Sequence, residues 1–144
     1  MRLDQNLILL PVLAQVILTF AVLVMMGRAR AQSMRERRQK MNDVALATAT
    51  DWNENARKLA NNYANQFELP VLFYVACLFA LVTRSVDVAL MVLALVFVAS
   101  RIAHTAIHIG ANRVMPRFTA FLVGVGALMG IWLLIGWRVV TAAL

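Results

Sequence analysis

The chain has 144 residues, 62% of them hydrophobic, with a mean hydropathy of +0.73. A soluble core of this size needs far less apolar material, so the composition excludes an ordinary globular domain and points to one membrane domain. The net charge of +7 does not point to nucleic acid, because the basic residues adjoin apolar runs and lack interleaved aromatics; they fit cytoplasmic loops held against anionic lipid.

Asn6 to Met26 is 21 residues without a charge, enough to cross about 30 Å of hydrocarbon at about 1.5 Å per residue. Pro11 stands in its first third, where a kink is expected, and Gln15 is expected to face protein. The run is too long for a cleaved signal peptide, and Ala29-Arg30-Ala31 lies in a basic cluster, so this reads as a retained first span. Beyond it, Arg28, Arg30, Arg35, Arg37, Arg38 and Lys40 stand against Glu36 alone. That half reads as a cytoplasmic membrane-surface segment starting at Gly27. Its arginines either serve the positive-inside bias and lipid headgroups, or, at Arg28 or Arg30, reach an anionic ligand. Asp43, Asp51 and Glu54 make the following part mixed in charge and lead into the second helix.

The second helix runs from about Arg57 to Val82, and Thr83-Arg84-Ser85 is a short turn, so the third must return antiparallel. The third is apolar from Val88 to Ala99, then changes to Ser100, Arg101, His104, Thr105, His108 and Asn112. After Arg113 and Pro116 a fourth span reaches Trp137, with Gly126 and Gly130 as a small-xxx-small pair suited to close packing. The expected fold is therefore all-α: one four-span membrane domain over 1–144, an up-down-up-down four-helix bundle with spans at about 6–26, 58–82, 86–109 and 118–138. The basic first and third loops place both termini outside the cytoplasm, with Arg2 and Arg138 as weak contrary signals.

Polar residues enter the second and third helices at matching depth. Asn61, Asn65 and Glu68 follow i, i+4, i+7 spacing and share a helical face; Arg101, His104 and His108 follow i, i+3, i+7 and share another. Counted from a turn centred between Arg84 and Ser85, Glu68 is level with Arg101, Asn65 with His104, and Asn61 with His108. Glu68 and Arg101 both stand roughly 25 Å from the turn. The expectation is a buried Glu68–Arg101 ion pair, with the residues above it lining a polar pocket open to the cytoplasm. Glu68 has two readings: a functional carboxylate at the edge of a span, or a counter-charge that pins two helices. His104 and His108 have the right chemistry for zinc, but there is no HExxH and there are two histidines in all, so no metal is assigned. Cys77 lies inside a span and Ser100 lacks a base with an orienting partner, so neither is a nucleophile candidate.

These residues resemble the MAPEG superfamily, the membrane proteins of eicosanoid and glutathione metabolism, and within it a bacterial-type member similar to microsomal glutathione transferases. Asn65-Gln66-Phe67-Glu68-Leu69-Pro70 looks like the family's Asn-x-x-Glu followed by proline. Arg101-Ile102-Ala103-His104-Thr105-Ala106-Ile107-His108 is similar to its arginine, histidine-threonine and later tyrosine, and Arg117-Phe118-Thr119-Ala120-Phe121-Leu122-Val123-Gly124 to its arginine leading into Phe-x-Val-Gly. The resemblance implies a homotrimer of four-helix subunits holding glutathione as co-substrate between neighbours near the cytoplasmic face, and a lipophilic small-molecule substrate from the lipid bilayer. It carries glutathione contacts onto Asn65 and Glu68 and thiolate stabilisation onto Arg117. A cation in the first turn opposes the helix dipole, which gives Arg117 a reason to meet an anion. Arg101, His104, His108, Arg113, Arg28, Arg30 and Lys58 complete the candidate ligand set. Two departures stand out: Asn61 where many glutathione-using members carry arginine, for which Lys58 or Arg57 can substitute, and His108 in place of the tyrosine. The expected activity is a glutathione transferase or peroxidase in a bacterial inner membrane. The competing reading is a non-catalytic MAPEG-like protein that binds lipid or serves assembly.

Overall fold

Proline and the capping residues decide where the helices begin and break. The computed structural model describes residues 4–44 and 52–143; Arg2 and Asp51 lie outside them. All regular elements among the described residues are helical, and four stretches are long and apolar enough to cross a membrane. Helix α1 (Leu9–Glu36) follows a 3-10 turn at Gln5–Ile8 that Asp4 caps by accepting from the Asn6 N–H. Pro11 thus falls in the first turn of α1, a position that tolerates proline, so the reason for the expected kink is absent. At 28 residues α1 is about 42 Å long, which exceeds the hydrocarbon thickness of about 30 Å. Its last turns carry Arg28, Arg30 and Arg35 beyond the apolar layer. The segment expected to lie on the membrane surface from Gly27 is instead continuous helix to Glu36. Met26 and Ala29 pack there against Ala56 and Leu59.

The second span is broken in two. Helix α2 (Glu54–Asn65) is capped by Asn53, whose side chain accepts from the Ala56 N–H, and α3 (Leu69–Val82) restarts with Pro70 in its first turn. Proline has no N–H for the carbonyl four residues back and crowds it sterically, so a continuous helix through Gln66 is disfavoured. Glu68 takes up the break with φ −94° and ψ −101°.

Helix α4 (Val88–Ile109) returns after a tight turn in which Asp87 accepts from the Leu90 N–H. Arg138, near the end of α5 (Val114–Ala143), donates to the Ser85 carbonyl and pairs with Asp87. Gln5 exchanges two hydrogen bonds with the Val86 backbone, at 2.9 and 3.2 Å. These contacts gather the α3–α4 turn, the beginning of the first span and the end of the last at one end of an up-down-up-down bundle. The end of α1, the start of α2 and the α4–α5 connection lie at the other.

Phe73 and Phe97 stack at 4.4 Å in the core with Ala76, Leu90, Ala94 and Ile131. Leu10, Leu13, Ile17, Phe20 and Leu133 point outward, as lipid-facing residues do. Cys77 is buried in the core as a free thiol. Of the expected Gly126–Gly130 pair, Gly130 lies at a close helix contact and Gly126 does not. Within the chain nothing lies within 4 Å of a side chain added at Gly126, whereas one at Gly124 meets Ser100 Oγ at 2.6 Å and one at Gly130 meets Leu93 at 3.2 Å. The contact face is turned away from Gly126 because Ala127, Leu128 and Ile131 are the buried positions of this stretch. Gly124→Ala is expected to lower the unfolding midpoint in detergent by an amount equivalent to about 1 kcal/mol or more. Gly126→Ala leaves it unchanged or higher, and Ser100→Ala added to Gly124→Ala recovers most of the loss.

Candidate functional site

The polar residues of α2 divide between two faces. Asn62 and Gln66 are buried, whereas Asn61 and Glu68 are exposed and Asn65 is half-buried. The inward pair forms a hydrogen-bonded network across three helices. Gln15 Nε2 of α1 donates to Gln66 Oε1 at 2.9 Å, and Gln66 Nε2 donates to Asn62 Oδ1 at 3.1 Å and to Thr105 Oγ of α4 at 3.3 Å. Thr105 Oγ donates to Asn62 Oδ1 at 3.4 Å, and Asn62 Nδ2 lies 3.3 Å from His108 Nδ1. Buried amides are costly unless paired, and here Gln66 and Asn62 are paired through both side-chain atoms, while Gln15 is paired through Nε2 and its Oε1 is buried without a partner. Gln15 faces protein as expected.

The expected Glu68–Arg101 ion pair is not formed: among the described residues Arg101 is in no ion pair and Glu68 is exposed. Arg101 is 1% exposed and donates through Nη2 to the Asn65 backbone carbonyl at 3.0 Å. The cause is the break before Pro70. It ends α2 at Asn65, so that residue's carbonyl oxygen receives the guanidinium, and it leaves Glu68 exposed at the cleft that it lines with His104 and His108 of α4. The expected depth matching holds to within a turn, but the face of α2 that meets α4 is rotated by one residue.

The outward face opens on a cleft. Its inner cavity, about 530 Å³, is lined by Asn65, Glu68, His104, His108, Arg117 and Phe121 among others. Its outer cavity, about 620 Å³, is lined by Arg30, Trp52, Arg57, Lys58 and Asn112 and shares Asn61, His108 and Arg117 with the inner one. Asn65, Glu68, His104, His108, Arg117, Arg30 and Lys58 are therefore brought together. Arg28 and Arg113 are exposed and line neither cavity, and Arg101 lies buried behind them.

Each residue of the cleft is positioned locally. Arg117 Nη1 donates to Asn112 Oδ1 at 2.7 Å, and Asn112 has φ +48°, a left-handed conformation that asparagine tolerates. His104 Nδ1 donates to the Arg117 carbonyl at 3.1 Å, while its Nε2 is buried. The guanidinium of Arg30 sits 5.1 Å over the Trp52 ring, and Lys58 pairs with Glu54 at 2.7 Å. Ser100 donates to the Phe97 carbonyl, a structural contact. Among the described residues no group of three His, Cys, Asp or Glu could hold a metal ion. Asn62, Gln66 and Asn112 were not in the candidate set. The tract Asn61-Asn62…Asn65-Gln66 is polar on two adjacent faces, a signal that one face is inward and the other serves a cleft.

Four membrane-capable helical stretches with a polar cleft at one end define an integral membrane protein. The model of the MAPEG family matches residues 8–137, and the chain belongs to that family. No curated protein and no solved structure matches it.

The buried guanidinium and the exposed carboxylate separate in one experiment. Arg101→Met is expected to cost about 1.5–3 kcal/mol, because it leaves the Asn65 carbonyl without its charged donor. Glu68→Ala, at an exposed position, is expected to stay within about 0.5 kcal/mol of wild type. Thermal unfolding in detergent measures both, and equal losses would restore the ion pair.

Proposed function

We propose that this protein is a glutathione-dependent transferase or peroxidase acting on lipophilic electrophiles that enter from the bilayer. The observation that carries this reading is the convergence of Asn65, Glu68, His108 and Arg117 on one cleft whose other end holds Arg30, Arg57 and Lys58. Glutathione offers two carboxylates, an ammonium group and a thiol. The cations of the outer cavity match the carboxylates, and Glu68 can accept from the ammonium. Both cavities fall within the range of about 300–1,000 Å³ usual for small-molecule sites. The arginine that Asn61 replaces has substitutes: Arg30 and Arg57 line the same cavity as Asn61.

Arg117 supplies the chemistry in this reading. With Nη1 held by Asn112, the guanidinium is a fixed cation beside the sulfur, and a nearby cation favours thiolate over thiol. The thiol proton passes to water in the open cleft. The sulfur then forms a bond to the electrophilic carbon as the leaving group departs with the bonding pair. With a hydroperoxide the sulfur takes the terminal oxygen, and the alkoxide released takes up a proton. Glu68 and Asn61 are exposed in the single chain, which is compatible with a site completed by a neighbouring subunit; the homotrimer itself follows from the family resemblance. The basic content of the sequence between α1 and α2 and between α4 and α5 supports a cytoplasmic cleft with the termini outside.

Glutathione titrated into the purified protein, followed by thiolate absorbance and by binding, tests the reading. Arg117→Ala is expected to lose the thiolate signal while retaining much of the binding, and Arg117→Lys to recover part of the signal, since lysine keeps the charge without the planar fork. An undiminished thiolate signal in Arg117→Ala removes that residue from the mechanism. No binding to wild type at millimolar glutathione favours the lipid-binding or assembly role.

A further inference from the structure

We infer that His108 is presented to the cleft as a hydrogen-bond donor through Nε2–H, for an anionic acceptor group on the ligand. Asn62 and Gln66 are the positioning residues that hold it so. The assignment rests on the glutathione reading for the ligand's identity and on hydrogen-bond direction for the ring.

The direction starts at a backbone oxygen. The Gln66 side-chain nitrogen, whose two hydrogens go to Asn62 Oδ1 and Thr105 Oγ, also lies 3.4 Å from the Asn62 carbonyl oxygen, where an amide oxygen would meet that carbonyl lone pair to lone pair. The Gln66 amide is thereby oriented with NH₂ toward Asn62 and its oxygen toward Gln15 Nε2, which donates at 2.9 Å. The Asn62 side-chain atom that receives Gln66 Nε2 must then be its oxygen, which Thr105 also approaches as a donor. That leaves the Asn62 NH₂ facing His108 Nδ1 at 3.3 Å. An amide nitrogen does not accept, so His108 Nδ1 is bare and the ring proton sits on Nε2.

His108 is 5% exposed, yet its ring lines both cavities. Asn62 is its hydrogen-bond partner among the described residues, at Nδ1, so Nε2–H is the group left for a ligand. Arg117 and Asn61 are the two other residues common to both cavities. Cation and donor together suit a thiolate or a carboxylate. His104, one turn earlier, is held the opposite way: its Nδ1–H is spent on the Arg117 carbonyl and its Nε2 is buried. The two rings thus carry their protons on opposite nitrogens, and of the two only His108 lines both cavities.

The test uses histidine-¹⁵N-labelled full-length protein in lipid nanodiscs, with ring tautomers read from long-range ¹H–¹⁵N correlations. The ring lost in His108→Gln is expected to carry its proton on Nε2 in wild type. In Asn62→Asp, whose carboxylate only accepts, that ring is expected to move its proton to Nδ1. Glutathione affinity should fall about tenfold or more in Asn62→Asp and His108→Phe, and stay within a factor of about three in His108→Gln, which keeps a terminal N–H donor. S-methylglutathione distinguishes the acceptor: an equal loss of affinity for it assigns a carboxylate, and a loss confined to glutathione assigns the sulfur. A wild-type ring protonated on Nδ1 overturns the proposal, as does wild-type affinity in His108→Phe. Wild type that binds neither ligand but shows the Nε2–H ring refutes the glutathione reading and leaves the donor assignment standing.

Discussion

A proline has no N–H to give, and in the second span that one missing donor shapes the site. A continuous helix through Pro70 would carry Glu68 toward α4, level with Arg101. The break at Gln66–Glu68 instead ends α2 at Asn65, turns Glu68 outward, and leaves a backbone carbonyl at the depth where α4 brings its arginine. The guanidinium and the carbonyl each meet a need of the other. A buried cation requires an acceptor, and a helix end in a nonaqueous setting requires a donor. One hydrogen bond at 3.0 Å joins the end of α2 to the middle of α4, and the cleft opens just above it.

The same solvent logic accounts for the amide network. Away from water, Gln15, Gln66, Asn62 and Thr105 must pair with one another, and pairing across α1, α2 and α4 fixes the rotation of each helix about its axis. Small residues play the complementary part between α4 and α5, where Gly124 lets Ser100 approach. The polar contacts thus set which face of α2 is inward, and the apolar contacts set how close α5 can come. Together they bring Arg117 and Asn112 to the rim opposite Asn61 and Asn65.

Much of this was legible in the chain because hydrophobic length and charge placement are strong signals in membranes. The four spans, the tight return after Val82 and the inward Gln15 follow from them directly. The depth of the polar residues was also legible, since counting from a short turn needs only the helical rise. What failed was the pairing of Glu68 with Arg101. The i, i+4, i+7 spacing of Asn61, Asn65 and Glu68 does mark one face, and all three line the cleft, but the chain breaks before Pro70 and Arg101 takes the Asn65 carbonyl instead. Asn62 and Gln66 occupy the neighbouring, inward face. Gly126 misled for a similar reason: a spacing of four marks a shared face without saying which neighbour, if any, that face meets. Asn112 had no signal of its own, because its role depends on the left-handed bend that folds it back to Arg117.

The end of α2 and the three residues after it present an amide face to the bundle and a second polar face to the cleft. A single-cysteine scan of residues 61 to 68, with Cys77 replaced by alanine, measures this through the rate of reaction with a small water-soluble maleimide. Labelling is expected to be fast at Asn61 and Glu68, intermediate at Asn65, and slow at Asn62 and Gln66 unless the protein is unfolded. Fast labelling at Asn62 and Gln66 in the folded protein, with Asn61 and Glu68 protected, would contradict that arrangement.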